Sequence, residues 1–307
     1  MALSLINMVM HLVLLAAAPP LMLGLIQRTK ALLAGRKGPP LLQPYYDLYK
    51  LLRKGIVLSK TTTWIFRAGP MVTLVAVLLG GLLVPFGTSA APLHFQGDVI
   101  LLIYVLALAR FFTSLAALDT GSSFEGMGAA REVTFACLSE AALMLGLLVL
   151  IKFSGSLSLN TMLRAPAMHA FAMLPVASLM LAAVGMFIVL LAENARIPVD
   201  DPATHLELTM IHEVMVLDHS GPLLALVNYG AAVKLFVFAA LFLHFVPPVP
   251  MASPALNWVV FAAEMLGVAV AIGLVESLMA RLRLTHVPTL LVAASLLCGF
   301  GFILMLR

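Results

Sequence analysis

Eight apolar runs, each close to the ~20 residues that a helix needs to cross a bilayer, constrain this chain more than any other feature. A segment in hydrocarbon has no water to satisfy its peptide groups and must bond them internally, which excludes open strands. The runs read as Leu3–Ile26, Ala68–Phe86, Asp98–Leu118, Glu132–Phe153, Phe171–Ala192, Pro222–Val246, Ala255–Ala280 and Pro288–Leu306. Hydrophobic residues make up 62% of the chain, against about 45–50% in soluble domains. The expectation is one all-α polytopic membrane domain over residues 1–307. The first run lacks a basic leader and a small-residue cleavage site, so it reads as a retained helix.

The first connection carries Arg28, Lys30, Arg36, Lys37, Lys50, Arg53, Lys54, Lys60 and Arg67, while the second and sixth carry no Lys or Arg. The positive-inside rule then puts the odd-numbered connections at the cytoplasm and both termini outside. A basic connection beside a bilayer accounts for the net charge of +4 and points to anionic lipid rather than nucleic acid. Within it, Pro44 opens PYYDLYKLLRKGIVL. Tyr45, Leu48, Tyr49 and Leu52 recur at helical spacing, which predicts an amphipathic helix lying in the interface.

The fifth connection, Glu193 to Gly221, sets Glu193, Asp200, Asp201, Glu207, Glu213 and Asp218 against a single base, Arg196. In a chain with 10% charged residues this reads as a docking and coupling surface, with the planar Arg196 fork holding Glu193 or Asp200. Pro198 and Pro202 end the preceding helix, and the stretch from Ala203 to Leu217, free of Gly and Pro, predicts a short surface helix. On such a helix His205, His212 and His219 would stand ~10.5 Å apart, too far for one metal. Polar positions facing a partner, or proton exchange near neutral pH, are the open readings. Cys137 and Cys298 have no CxxC spacing, so neither an iron–sulfur nor a zinc site is expected. No nucleophile triad or P-loop is present, and the chain reads as non-catalytic by itself.

The pattern Glu193-x-x-Arg196-x-Pro198-x-Asp200-x-Pro202, then Glu207-Leu208, then Asp218-x-Ser220-Gly221, resembles the acidic loop of subunit 1 of respiratory complex I. It is still more similar to the equivalent membrane subunit of group 4 nickel-iron hydrogenases, of the formate hydrogenlyase and hydrogenase-4 type. Complex I has further glutamates before the match to Glu207, where this chain has Ala203 and His205; that departure favours the hydrogenase branch. Arg36-x-Gly38-Pro39, Gln43, Asp47 and Lys50 resemble the family's first-connection motif. Gly128-Ala129-x-Arg131, followed by Ser139-Glu140, resembles its third. The resemblance implies a membrane-anchor and ion-coupling subunit in a bacterial or archaeal cytoplasmic membrane. Hydrogenase-like large and small subunits and an iron–sulfur subunit would dock on the first, third and fifth connections, beside antiporter-like membrane subunits. It implies no cofactor in this chain: iron–sulfur clusters and a nickel-iron centre would sit in partners, and a quinone would bind in the complex I alternative. A free-standing ion transporter is the reading outside the family, and the acidic connection speaks against it.

Finally, charges recur inside the runs. Counting ~1.5 Å per residue from the expected cytoplasmic ends places Glu276 ~6 Å deep, Glu140 and Arg110 ~12 Å, Lys234 ~18 Å and Glu264 ~24 Å in a core ~30 Å thick. Such residues are expected to face inward and find partners. Arg110 with Glu140 could be a structural ion pair, and Glu140, Lys234, Glu264 and Glu276 a water-bridged ion path.

Overall fold

The computed structural model describes residues 2–164, 173–201, 209–246 and 254–306. Their helices are, in order, α1 (Ala2–Leu33), α2 (Gln43–Leu52), α3 (Trp64–Leu83), α4 (Asp98–Asp119), α5 (Ser123–Ser154), α6 (Leu159–Arg164), α7 (Met173–Glu193), α8 (Gly221–Leu243), α9 (Pro254–Leu278) and α10 (Val287–Met305). All but α2 and α6 are long and apolar enough to cross a membrane, which makes eight. The expected all-α polytopic fold is therefore the fold observed, with α2 as its short amphipathic addition.

The ends of the elements differ most from expectation at two places. α1 continues past Ile26 to Leu33, and α5 begins at Ser123 rather than Glu132. Gly126 and Gly128 are helical, and at Gly128 the ~1 kcal/mol that a glycine costs a helix is small beside the packing it permits. A Cβ on Gly128 would stand 3.1 Å from the Ile211 carbonyl oxygen, so only glycine lets α5 approach the fifth connection so closely.

α3 and α4 run as an antiparallel pair, α10 lies between α5 and α7, and α1 is backed by α8 and α9. Asp119 ties the first pair at its end: its carboxylate accepts from the Thr63 and Phe66 amides at 2.7 and 3.2 Å and from the Thr63 hydroxyl at 2.8 Å. The odd-numbered connections meet at this same end, which we term the basic end. The Val57 amide donates to Ser220 Oγ (2.9 Å), Thr61 Oγ1 to the Thr120 carbonyl (3.2 Å) and the Leu282 amide to the Pro198 carbonyl (2.9 Å).

Prolines inside a span or just past its end leave carbonyls without their i+4 donor, and side chains of other helices replace it. Pro20 cannot serve the Ala16 carbonyl, which accepts instead from the Tyr229 hydroxyl of α8 at 2.8 Å. Pro85 cannot serve the Gly81 carbonyl, and His11 Nε2 of α1 lies 2.9 Å from it. Tyr45 of α2 also donates to α1, at the Ala17 carbonyl. α2 is thus pinned at the level of the α1 prolines, and the chain climbs from there to Val57 beside the start of α8. No residue of α2 is buried, and Tyr46, Tyr49 and Leu52 face outward.

The fifth connection departs most from expectation. Residues 202–208, which include His205 and Glu207, lie outside the described residues. Over the remainder of the expected helix there is one 3-10 turn, Glu213–Val216. Ala195 through Asp200, apart from half-buried Arg196, are buried rather than displayed at the surface. The backbone here is held by tertiary bonds to Asp200 and α5, which local propensity cannot anticipate.

Hydrogen bonds between membrane helices average about 0.6 kcal/mol, with a maximum near 1.7. Tyr229→Phe is expected to destabilise the chain within that range in a detergent unfolding titration. In a Pro20→Ala background, where residue 20 regains its amide donor, the same change should cost little.

Candidate functional site

The site grows from Glu193, the last residue of α7. A carboxylate at a helix C-terminus faces the negative end of the helix dipole, and this one is 4% exposed. It persists because two cations and a hydroxyl converge on it. Arg110 Nη2 of α4 lies 2.7 Å from both of its oxygens, Lys234 Nζ of α8 3.0 Å from one, and Ser139 Oγ of α5 donates at 2.5 Å. Arg110 also pairs with Glu140 and, through Nε at 3.4 Å, with Glu132. The Arg110–Glu140 pair expected from sequence is thus present, but as one arm of a larger cluster. Lys234 has Glu193 as its carboxylate.

His212 links this interior cluster to the connection above it. Its Nε2 lies 3.1 Å from Glu132 and its Nδ1 3.8 Å from Asp200. Asp200 in turn pairs with Arg281 of the α9–α10 connection at 2.9 Å and accepts from the Ile211 and His212 amides at 3.1 Å each. Arg281, Asp200, His212, Glu132, Arg110, Glu193 and Lys234 therefore form a line of alternating charge. Its anions and cations balance, with Glu140 counted, only when His212 is protonated. Burial opposes that charge, but the Glu132 carboxylate and the Asp200 contact outweigh it and raise His212 to about 9. For Asp200 burial is likewise overcome, here by hydrogen bonding and attraction to His212, and its carboxyl is held below the usual range.

A second cluster faces the same space. Glu276 of α9 pairs with Lys30 of α1 at 2.8 Å and with Arg196 at 3.3 Å. Arg196 thus grips Glu276, not Glu193 or Asp200 as its position in the chain suggested; those carboxylates already have partners from α4, α8 and the last connection. Between the clusters lies a cavity of about 440 Å³. Lys30, Asp47, Arg110, Glu132, Glu193, Arg196, His212, Glu213, Lys234 and Glu276 line it, together with the apolar side chains of Leu23, Ile26, Leu48, Val77, Val227 and Leu235.

Other residues singled out in the sequence have smaller or separate places. Asp47 reaches the cavity and accepts from Gln43 Nε2 at 2.8 Å, whereas Arg36 and Lys50 are exposed. Arg131 Nη1 donates to the Met210 carbonyl at 2.8 Å, tying α5 to the fifth connection. Asp218 is exposed, and its amide donates to buried Glu125 at 3.0 Å. Asp201 is half-buried beside Asp200, whose Oδ1 accepts its amide at 2.9 Å. His219 shares nothing with His212: it stacks on Phe66 at 4.1 Å, and burial lowers it to about 4, against the opposing pull of the Phe66 carbonyl. Glu264 belongs to neither cluster. Sequence reasoning missed Glu132, Lys30 and Arg281. Glu132 was hidden at the assumed start of a span, and Lys30 among bases that looked like topology signals; no spacing marked Arg281. Among the described residues no group of His, Cys, Asp and Glu is arranged to hold a metal.

Eight spans around a charge-lined cavity define a polytopic membrane protein. The chain belongs to the family whose model is described as NADH dehydrogenase, which matches residues 5–306. It is 33% identical to formate hydrogenlyase subunit 4 of Escherichia coli over 301 residues, 96% of this chain and 94% of that protein. It is 36% identical to hydrogenase-4 component C of the same organism over 231 residues, 75% of this chain and 71% of that one. NADH-ubiquinone oxidoreductase chain 1 of Podospora anserina is 30% identical over 57% of this chain and 48% of its own length. In fold the chain resembles a solved structure of the membrane-bound sulfane sulfur reductase, an archaeal respiratory membrane complex. That match has a TM-score of 0.83 and 20% identity, and covers 98% of this chain and 99% of that one.

Two outcomes follow from the ion pairs. Arg110→Met strands buried carboxylates and is expected to cost about 3–5 kcal/mol, read as loss of the folded chain from membranes, with partial recovery when Glu193→Gln is added. For His212, a raised folded value means that its contribution is complete below the unfolded value near 6.5 and fades as pH rises through about 9. The groups facing it are Glu132 on α5, Asp200 with its partner Arg281, and Lys234 on α8. The difference in Tm between wild type and His212→Gln should therefore be largest below pH 6.5 and shrink toward pH 9 and above.

Proposed function

We propose that this chain is the membrane-anchor and ion-coupling subunit of a complex I-like membrane-bound hydrogenase of the formate hydrogenlyase and hydrogenase-4 type. It fastens a soluble redox arm to the basic end and links electron transfer there to movement of protons or sodium ions. The observation that carries the reading is the unbroken alternation of charge from Arg281 and Asp200 at the basic end, through His212 and Glu132, to Arg110, Glu193 and Lys234 inside the bundle. A rearrangement of the fifth connection that moves Asp200 or His212 must be answered by the charges below it, because all are buried or half-buried and share partners. At the far end the Glu140 side chain is 33% exposed, which offers a lateral exit for charge toward neighbouring membrane subunits. The hydrogenase relatives are named as components or subunits, in keeping with a chain that works inside an assembly. The nickel-iron centre and iron–sulfur clusters would belong to the soluble partners, with the basic end in the bacterial or archaeal cytoplasm and both termini outside.

A second reading, a quinone-binding subunit of the NADH-quinone oxidoreductase type, is favoured by the cavity. Its volume, and walls that mix apolar side chains with mutually paired charges, suit a neutral planar head group.

Purification in mild detergent separates the two: nickel and iron are expected to accompany the tagged chain, whereas iron with flavin and quinone-dependent electron transfer would replace the first reading with the second. Coupling is tested in sealed vesicles. Glu140→Gln, which keeps Arg110 paired with Glu132 and Glu193, is expected to leave hydrogen evolution near wild type while lowering ions moved per electron several-fold. An unchanged ratio would make the network purely structural.

A further inference from the structure

Among the described residues Glu264 is the one carboxylate deep inside a span that the network leaves out. It sits on α9 about 15 Å from the Pro254 end and about 21 Å from the Leu278 end at 1.5 Å per residue, hence near mid-bilayer. Among the described residues no hydrogen bond or ion pair reaches it, although it is only half-buried. The other charges inside the spans, Arg110, Glu140 and Lys234, are all paired. The inner face of α9 is accounted for: Phe261, Met265, Val268 and Ile272 are buried in the main core. Glu264 borders the opposite face, where Val259, Ala263, Gly267, Val270 and Leu274 are exposed. A Cβ placed on Gly267 would meet nothing within 4 Å.

We propose that this face of α9 receives a transmembrane helix of a different subunit, which sets a basic side chain against Glu264. A carboxylate at mid-bilayer is costly and is retained where it faces a partner. Hydrocarbon tails offer it no donor, and headgroups lie too far away at this depth. A second copy of this chain cannot serve either. Its cations inside the spans, Arg110 and Lys234, are engaged within the bundle, and a two-fold contact through this face would bring a second carboxylate to the first. What complements the patch is therefore a chain with a Lys or Arg in the middle of a span. The small side chain of Ala263 and the bare Gly267 leave room for its backbone to come close.

This inference rests on the reading that the chain works inside a multi-subunit membrane complex. The test uses the assembled complex in native membranes, with photoreactive benzoylphenylalanine in place of Ala263. The expected adduct joins α9 to a span of another subunit that holds Lys or Arg near its middle. Glu264→Gln should reduce recovery of that subunit with the tagged chain several-fold, and Glu264→Lys should abolish it until the contacted base is changed to Glu. Adducts with lipid or a second copy alone, or full recovery with Glu264→Lys, overturn the inference. If the wild-type chain purifies with no other membrane subunit, the reading beneath it falls too; if such subunits are present and none is reached from Ala263, only this inference falls.

Discussion

Burying the Glu193 carboxylate at the negative end of α7 is the constraint on which the rest of the interior depends. An isolated carboxylate there would take up a proton or force the helix end toward water. Here it is met by Arg110 from α4, Lys234 from α8 and Ser139 from α5, so four helices are fixed around one charge. The arrangement also explains the long α5. Its first turns, Ser123 to Glu132, carry Glu132 to the point where it can share Arg110 below and His212 above, and Gly128 lets that stretch lie against Ile211.

Ion pairs of this kind contribute little net stability, since desolvation offsets most of the attraction. Their consequence is specificity: removing a shared member such as Arg110 leaves its neighbours buried and uncompensated. The fifth connection is accordingly an extension of the bundle interior rather than a tether between α7 and α8. Asp200 organises it by accepting two amides while holding Arg281, and His212 turns that local order into contact with α5. The prolines act in the opposite sense. By freeing the Ala16 and Gly81 carbonyls they create acceptors that only Tyr229 and His11 satisfy, which locks α1 against α8 and α3 without charge.

Much of this was legible from residue order alone. Length and apolarity mark all eight spans, because hydrocarbon leaves helices as the only economical solution, and the spacing of Tyr45, Leu48, Tyr49 and Leu52 marks α2. The deep charges are visible for the same reason: Arg110, Glu140 and Lys234 stand out against apolar flanks. Partner choice is not visible. Arg196 is the only base among the acids of its connection, yet it pairs with Glu276 far along the chain, because Glu193 and Asp200 are claimed by helices that sequence cannot place beside them. The same blindness turned Glu132 into a span boundary and Lys30 into a topology marker. That Arg110 and Glu140 stand level with one another was legible as well, and the two do pair.

The cavity inherits its character from how these charges close on one another. Every cation on its wall whose ion pairs are described (Lys30, Arg110, Arg196, His212 and Lys234) has a carboxylate within 3.4 Å. The space is therefore polar without carrying a standing excess that would trap a counter-ion. Water, or a neutral ligand with a polar head, suits such a lining better than a fixed anion does. Deprotonating His212 alone would leave one uncompensated negative charge shared among Asp200, Glu132 and the groups beyond. In a partly desolvated network such a charge is felt along the whole line. A change of charge confined to the fifth connection is thereby felt by the paired groups inside the bundle, with no helix having to move.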